Sequence, residues 1–266
     1  MAAWEPSATN GRPAPVFFVG FPRSGTTLME AMLDAHPGLS TTGERSPLRE
    51  VRRRLTDRHG RAAYPECVGE MGAEALAEAR GWFWEYAENA IGAAPSGRLI
   101  DKLPLNIVEL GLAAHLFPDA PVVMAHRDPR DAVLSCFMQE FELNDAMAYF
   151  STLEGAAHLY SEVMDLWLQY RESLGLSVLE YRYEDLIASP ASTVRAVVEF
   201  IGEPWSDAVL EYRTSATARP IDTPSRAAVA QHLSIRPIGR WRAYEPHLGA
   251  VLPMLARFVR AFGYDE

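Results

Sequence analysis

The chain alternates short, wholly apolar runs with longer stretches of helical periodicity. Val16-Phe17-Phe18-Val19 is continuous and apolar and ends in a glycine, which predicts a strand buried on both faces and running into a loop. Beyond it Leu28, Met29, Met32 and Leu33 recur at helical spacing, and Pro37 closes that helix. Arg98-Leu99-Ile100-Asp101 predicts a second buried strand, followed by Pro104 and a helix over about 106–116. Val122-Val123-Met124-Ala125 predicts a third, ahead of Asp128-Pro129, a helix start with proline in its first turn. Val178-Leu179-Glu180-Tyr181 predicts a fourth, ahead of a helix opening at Ser189-Pro190. Residues 72–91, 145–174 and 247–262 read as helices whose aromatic residues, Phe83 and Trp167 among them, belong to the core. Residues 213–240, with Pro220, Pro224 and Pro237, read as irregular.

Strands alternating with helices predict an α/β fold, a mostly parallel sheet flanked by α-helices. We expect one domain over residues 15–266 behind a flexible segment 1–14. In such sheets the loops after the strands gather at one edge, where ligands bind. The site is therefore expected at residues 20–27, 101–104, 126–131 and 181–185.

Composition narrows the function. A net charge of −10 disfavours nucleic acid as a partner, so an anionic ligand has to be held by local positive charge. No apolar run is long enough to span a bilayer, and the first 15 residues lack the basic start and apolar core of a signal peptide; a cytoplasmic protein with no membrane partner is expected. Cys67 and Cys136 have no metal-ligand spacing and are expected to be reduced thiols rather than zinc ligands. Of the 25 basic residues only Lys102 is lysine, and it falls on the expected binding edge.

Gly20-Phe-Pro-Arg-Ser-Gly-Thr-Thr27 has the glycine spacing of a Walker A phosphate loop, but Thr26 stands where that loop has lysine. The backbone can cradle a phosphate at the helix N-terminus, with Arg23 adding charge, yet no lysine reaches outward from the loop. His126-Arg127-Asp128 mimics a protein-kinase catalytic loop, a reading defeated by Val133 at the asparagine position and by the lack of Asp-Phe-Gly. Arg127 with Ser135 reads either as a grip on a second phosphate or as part of a capping and salt-bridge cluster at a helix start. Glu44, after the first helix, is a candidate general base. The run Arg49, Arg52, Arg53, Arg54, Arg58 and Arg61 reads either as an acidic-substrate surface or as a solvated helix face.

Together these segments resemble the sulfotransferases that use 3′-phosphoadenosine-5′-phosphosulfate (PAPS), in particular the branch of protein-tyrosine sulfotransferases and related bacterial enzymes. Pro22-Arg-Ser-Gly-Thr-Thr-Leu28 and Leu33-Asp-Ala-His-Pro37 are similar to that family's 5′-phosphosulfate loop, Tyr183-Glu-Asp-Leu186 to its later Tyr-Glu-x-Leu signature, and Ser225 with Gly239-Arg-Trp-Arg242 to its closing segment. The resemblance implies that Arg23, Ser24, Gly25, Thr26 and Thr27 hold the 5′-phosphosulfate and that Arg127 and Ser135 hold the 3′-phosphate. It also implies that Tyr183, Arg240 and Trp241 contribute to the cofactor site. Glu44 would then be the base, with Lys102 and Ser225 on the sulfate; His36 and His115 are the alternative bases, since the small-molecule branch uses histidine. The implied reaction is sulfuryl transfer from PAPS to an acceptor hydroxyl, leaving PAP and needing no metal. A small molecule or natural product is the expected acceptor, with peptide tyrosine as the alternative. A P-loop small-molecule kinase and a non-catalytic nucleotide binder are the rival readings.

Overall fold

A computed structural model describes residues 12–95, 97–142, 144–212 and 238–265. Five parallel strands form one sheet: β1 (Val16–Gly20), β2 (Leu39–Thr41), β3 (Arg98–Lys102), β4 (Pro121–His126) and β5 (Ser177–Arg182), in the order β2-β3-β1-β4-β5. The helices that matter for the site are α1 (Thr26–Asp34) and α2 (Pro47–His59). After α3 (Glu66–Gly69) come α4 (Ala73–Ile91), α5 (Leu110–Leu116), α6 (Pro129–Phe137) and α7 (Leu153–Ser173). Then follow α8 (Tyr183–Ala188), α9 (Pro190–Phe200), α10 (Glu245–Leu248) and α11 (Leu252–Ala261).

The continuous apolar strands are explained by burial on both faces. Phe17 and Val19 point to one core, with Leu99, Val122 and Met124, under α4, α5 and α7. Val16 and Phe18 point to the other, with Ile100, Val123 and Ala125, against α1 and α9. Phe17 meets Phe83 of α4 and Phe117 just past α5, each with ring centroids 6.1 Å away, so the central strand is fixed by aromatic packing.

The two-residue period of a strand has a chemical consequence at the end of β3. Asp101 follows Leu99 to the α2 side, and Lys102 follows Ile100 to the α1 side. Lys102 is the last strand residue and fully buried, not a loop residue beyond the strand as the sequence suggests.

Other departures from the sequence reading are local. The three-residue edge strand β2 carries no apolar run and escapes the pattern. The stretch expected to be helical over 106–116 begins as a 3-10 segment, Pro104–Glu109, in which Asn106 turns inward to Ser46 and Asp101. Residues 145–174 are divided at Thr152, whose hydroxyl accepts from Gly155 N and so starts α7 afresh. The short helix α8 precedes the expected one and carries Tyr183. The C-terminal stretch is likewise two helices.

The packing around β1 predicts that Phe17→Ala lowers stability by about 3–5 kcal/mol in urea denaturation. A loss under about 1 kcal/mol would mean that Phe83 and Phe117 close the gap on their own.

Candidate active site

The loop between β1 and α1 is shaped by two left-handed residues. Arg23 has φ 72° and Gly25 has φ 81°. A non-glycine residue at positive φ is uncommon, and it is tolerated here where the chain must fold its N–H groups toward one point. A Cβ on Gly25 would lie 2.3 Å from the Tyr183 ring, and one on Gly20 would lie 2.8 Å from the Ala125 carbonyl oxygen. Both glycines are therefore required by close approach. Helix α1 starts with no side-chain cap on Gly25 and no acidic residue in its first turn. Its leading N–H groups have no intrahelical acceptor, so the positive end of the helix is presented to an anion.

Four expected cofactor residues converge on this loop. Arg23 Nε donates to Ser135 Oγ at 3.1 Å. Arg127 Nη1 donates to the Arg23 carbonyl at 2.8 Å, and its guanidinium lies 5.2 Å from the Tyr183 ring centroid. Burial, with Arg127 adding its charge, pushes Arg23 below the usual arginine range. Two cations so close favour an anion between them. Ser24 in the loop and Thr26 and Thr27 at the start of α1 are buried.

The closing segment docks differently. Asp131 on α6 accepts from Gly239 N at 2.6 Å and Trp241 N at 2.8 Å. That places Arg240 and Trp241 beside α6, but Trp241 is buried with Arg130 4.0 Å over its ring, and Arg240 is exposed and stacks on Tyr244. The Trp241 ring thus packs against Arg130. Ser225 lies outside the described residues.

On the other side of the loop, Lys102 Nζ sits between two carboxylates, Glu30 Oε2 at 2.8 Å and Glu44 Oε1 at 3.0 Å. Glu44 is about one-third exposed and Lys102 fully buried, so the pair runs from solvent into the protein. Burial alone would lower the Lys102 pKa, but the two carboxylates outweigh it and raise it. Glu30 was not singled out in the sequence; its signal is a carboxylate set within the otherwise apolar stretch of α1.

Asp101 fixes the turn that presents Glu44. It accepts from Ser46 Oγ at 3.1 Å and Leu48 N at 3.2 Å, and Ser46 in turn caps α2. Burial raises the Asp101 pKa to about 7.

The alternative bases are placed elsewhere. His36 uses both ring nitrogens, Nε2 with the Pro204 carbonyl at 2.7 Å and Nδ1 with Gly38 N at 3.0 Å. His115 lies near the end of α5, shortly before β4 begins, and so toward the sheet edge opposite the loop. The arginine run lies on α2 except for Arg61, which follows it in a 3-10 turn, and it is largely paired: Arg53 with Glu50 and Asp57, Arg54 with Glu50 and Glu85, Arg58 with Glu78, and Arg52 with Glu109. Cys67 and Cys136 are unbridged.

A parallel sheet whose first strand feeds a glycine-hinged, uncapped helix N-terminus defines a phosphate-loop α/β protein. The chain belongs to the sulfotransferase family, whose model matches residues 15–207. It is 27% identical over 269 residues to protein-tyrosine sulfotransferase 1 of Danio rerio, covering 94% of this chain and 72% of that protein. It is 28% identical over 247 residues to an uncharacterized protein of Aquifex aeolicus, covering 91% of this chain but only 32% of that longer one. The fold is shared with the sulfotransferase domain of the Synechococcus PCC 7002 olefin synthase, at TM-score 0.67, 20% identity and 99% coverage of both chains. It is also shared with mouse sulfotransferase SULT7A1 complexed with PAP, at TM-score 0.56, 15% identity, and 93% and 86% coverage.

The position of Asp101 makes a pH test. An acid whose folded pKa is raised holds its proton in the native state while the unfolded chain has lost it, so stability falls as pH rises from about 4 to about 7. Asp101→Asn removes that dependence. Denaturation curves are expected to show the variant gaining stability relative to wild type from pH 5 to pH 7, then holding a constant difference. A difference that does not change with pH would contradict a raised Asp101.

Proposed function

We propose that this chain moves a sulfuryl group from PAPS to an acceptor hydroxyl, with Glu44 as general base and Lys102 stabilising the leaving side. The observation that carries this reading is the Glu44–Lys102 contact of 3.0 Å at the edge where the phosphate loop ends. PAPS supplies an activated sulfuryl group when bound. Loop residues 23–27 would hold its 5′-phosphate through their N–H groups, and Arg127 with Ser135 its 3′-phosphate. Tyr183 packs on Gly25 and keeps the loop closed on its anion.

Glu44 is exposed enough to meet a hydroxyl and accept its proton. Lys102 holds a fixed charge in a water-poor site where negative charge collects, a placement that contributes ~3–4 kcal/mol. Thr26 in place of the Walker lysine suits a donor without an outer triphosphate, and the family assignment removes the kinase reading.

The acceptor in this reading is a small-molecule or natural-product hydroxyl. The pairing of the α2 arginines with glutamates and an aspartate supports it, because those charges are largely spent within the protein. Peptide tyrosine is the second reading, favoured by the similarity to tyrosine sulfotransferase over 94% of this chain. A labelled-PAPS assay with a panel of phenols and alcohols and an acidic tyrosine peptide separates the two. The unbridged thiols suit the reducing cytosol, and we take residues 15–266 as one such domain.

Glu44→Gln keeps the shape of the side chain and is expected to lower kcat ~100-fold or more. Near-wild-type turnover at saturating donor and acceptor would remove Glu44 from the chemistry. Arg127→Ala is expected to raise the KM for PAPS at least ~10-fold more than that for adenosine 5′-phosphosulfate, which lacks the 3′-phosphate. Equal weakening of the two would leave Arg127 as a support for the Arg23 carbonyl alone.

A further inference from the structure

We propose that Glu30 is a positioning residue for this reaction: from the helix that begins at the phosphate loop, it holds Lys102 charged and in place while Glu44 serves the acceptor. The inference rests on the sulfuryl-transfer reading above.

Glu30 lies among the buried residues Met29, Ala31, Met32 and Leu33 and is itself only 3% exposed. A carboxylate in such surroundings is retained only with a partner. Its partner is Lys102, in an ion pair of 2.8 Å to Oε2, and neither of its carboxylate oxygens has a hydrogen-bond partner among the described residues. Of the ammonium's N–H donors one goes to Glu44 Oε1, while Glu30 supplies a counter-charge at ion-pair distance.

The two carboxylates are not interchangeable. Glu44 stands in a turn at the surface, whereas Glu30 is the fifth residue of a helix and cannot leave. Two carboxylates and one ammonium carry one net negative charge. When Glu44 takes the hydroxyl proton, the cluster becomes neutral and Glu44 loses most of its pull on Lys102. Burial would then favour the neutral amine, unless Glu30 remains as the counter-ion. The remaining carboxylates nearby do not substitute for it. Asp34, one turn along α1, accepts from the Thr41 hydroxyl at 3.1 Å, and Asp101 faces the opposite side of β3 toward Ser46 and Leu48. Because Glu30 shares its helix with the phosphate loop, the same rigid element sets both the anion cradle and the ammonium.

Lys102 is the chain's only lysine, so the full chain labelled with carbon-13 lysine gives one side-chain signal whose titration reports this residue alone. Glu30→Gln is expected to lower its midpoint by at least one pH unit, a tenfold change in the protonation equilibrium, and Glu44→Gln by less. The alkaline limb of the kcat–pH profile should move down with it while the PAPS KM stays within about threefold, and Glu30→Gln should add nothing in a Lys102→Ala background. Should Glu30→Gln not fold, Glu30→Asp keeps the charge but withdraws it by one methylene, and is expected to leave Lys102 protonated and lower kcat. An unmoved midpoint, an equal effect of Glu44→Gln, or full kcat in Glu30→Asp would overturn the role of Glu30 in an enzyme that is otherwise active. If wild type transfers no sulfuryl group from labelled PAPS, the reaction itself fails and the positioning role with it, whatever the midpoint does.

Discussion

One buried ammonium organises the site. Lys102 ends β3 with no exposed surface, and it is kept charged there by Glu30 and Glu44 from two separate segments. The energetic logic is that of a paired interior charge, in which each partner would be expensive alone and removal of either leaves the other uncompensated. The arrangement links the first helix, the third strand and the turn after β2. It also runs outward, from the fully enclosed amine to the partly exposed Glu44.

The phosphate loop follows from a second constraint, the close approach of two backbones and a tyrosine ring. Gly20 has to pass the Ala125 carbonyl and Gly25 has to lie under Tyr183, so neither position tolerates a Cβ. Arg23 adopts a left-handed conformation between them, and its carbonyl is secured by Arg127. The result is a helix start with no cap of its own, flanked by two guanidinium groups. A fold with this edge concentrates positive charge locally although the chain as a whole carries −10.

Much of this was legible in the sequence because it follows from short-range rules. The doubly buried strands announce themselves as unbroken apolar runs, and Asp128-Pro129 marks a helix start that the structure reproduces, with Asp128 accepting from Arg130 N. The convergence of Arg23, Arg127, Ser135 and Tyr183 follows from strand ends sharing one edge of a parallel sheet. What was illegible depended on tertiary context. β2 is too short to carry a pattern. Lys102 reads as a loop residue because charge is rarely placed at the buried end of a strand, and only its partners make that placement tolerable. Glu30 and Asp131 look like ordinary acidic residues until the segments they hold, β3 and residues 239–241, are brought to them. The packing of the Trp241 ring against Arg130 is likewise a tertiary contact that the short segment 239–242 does not announce.

The central claim is that the loop and its two arginines form a cradle for PAPS rather than for a nucleoside triphosphate. Calorimetric titration of the wild-type chain with PAP and, separately, with ATP and Mg²⁺ tests it most directly. The account predicts saturable one-site binding of PAP and no comparable binding of ATP–Mg²⁺; equal or tighter binding of ATP–Mg²⁺, or no heat with PAP, would contradict it.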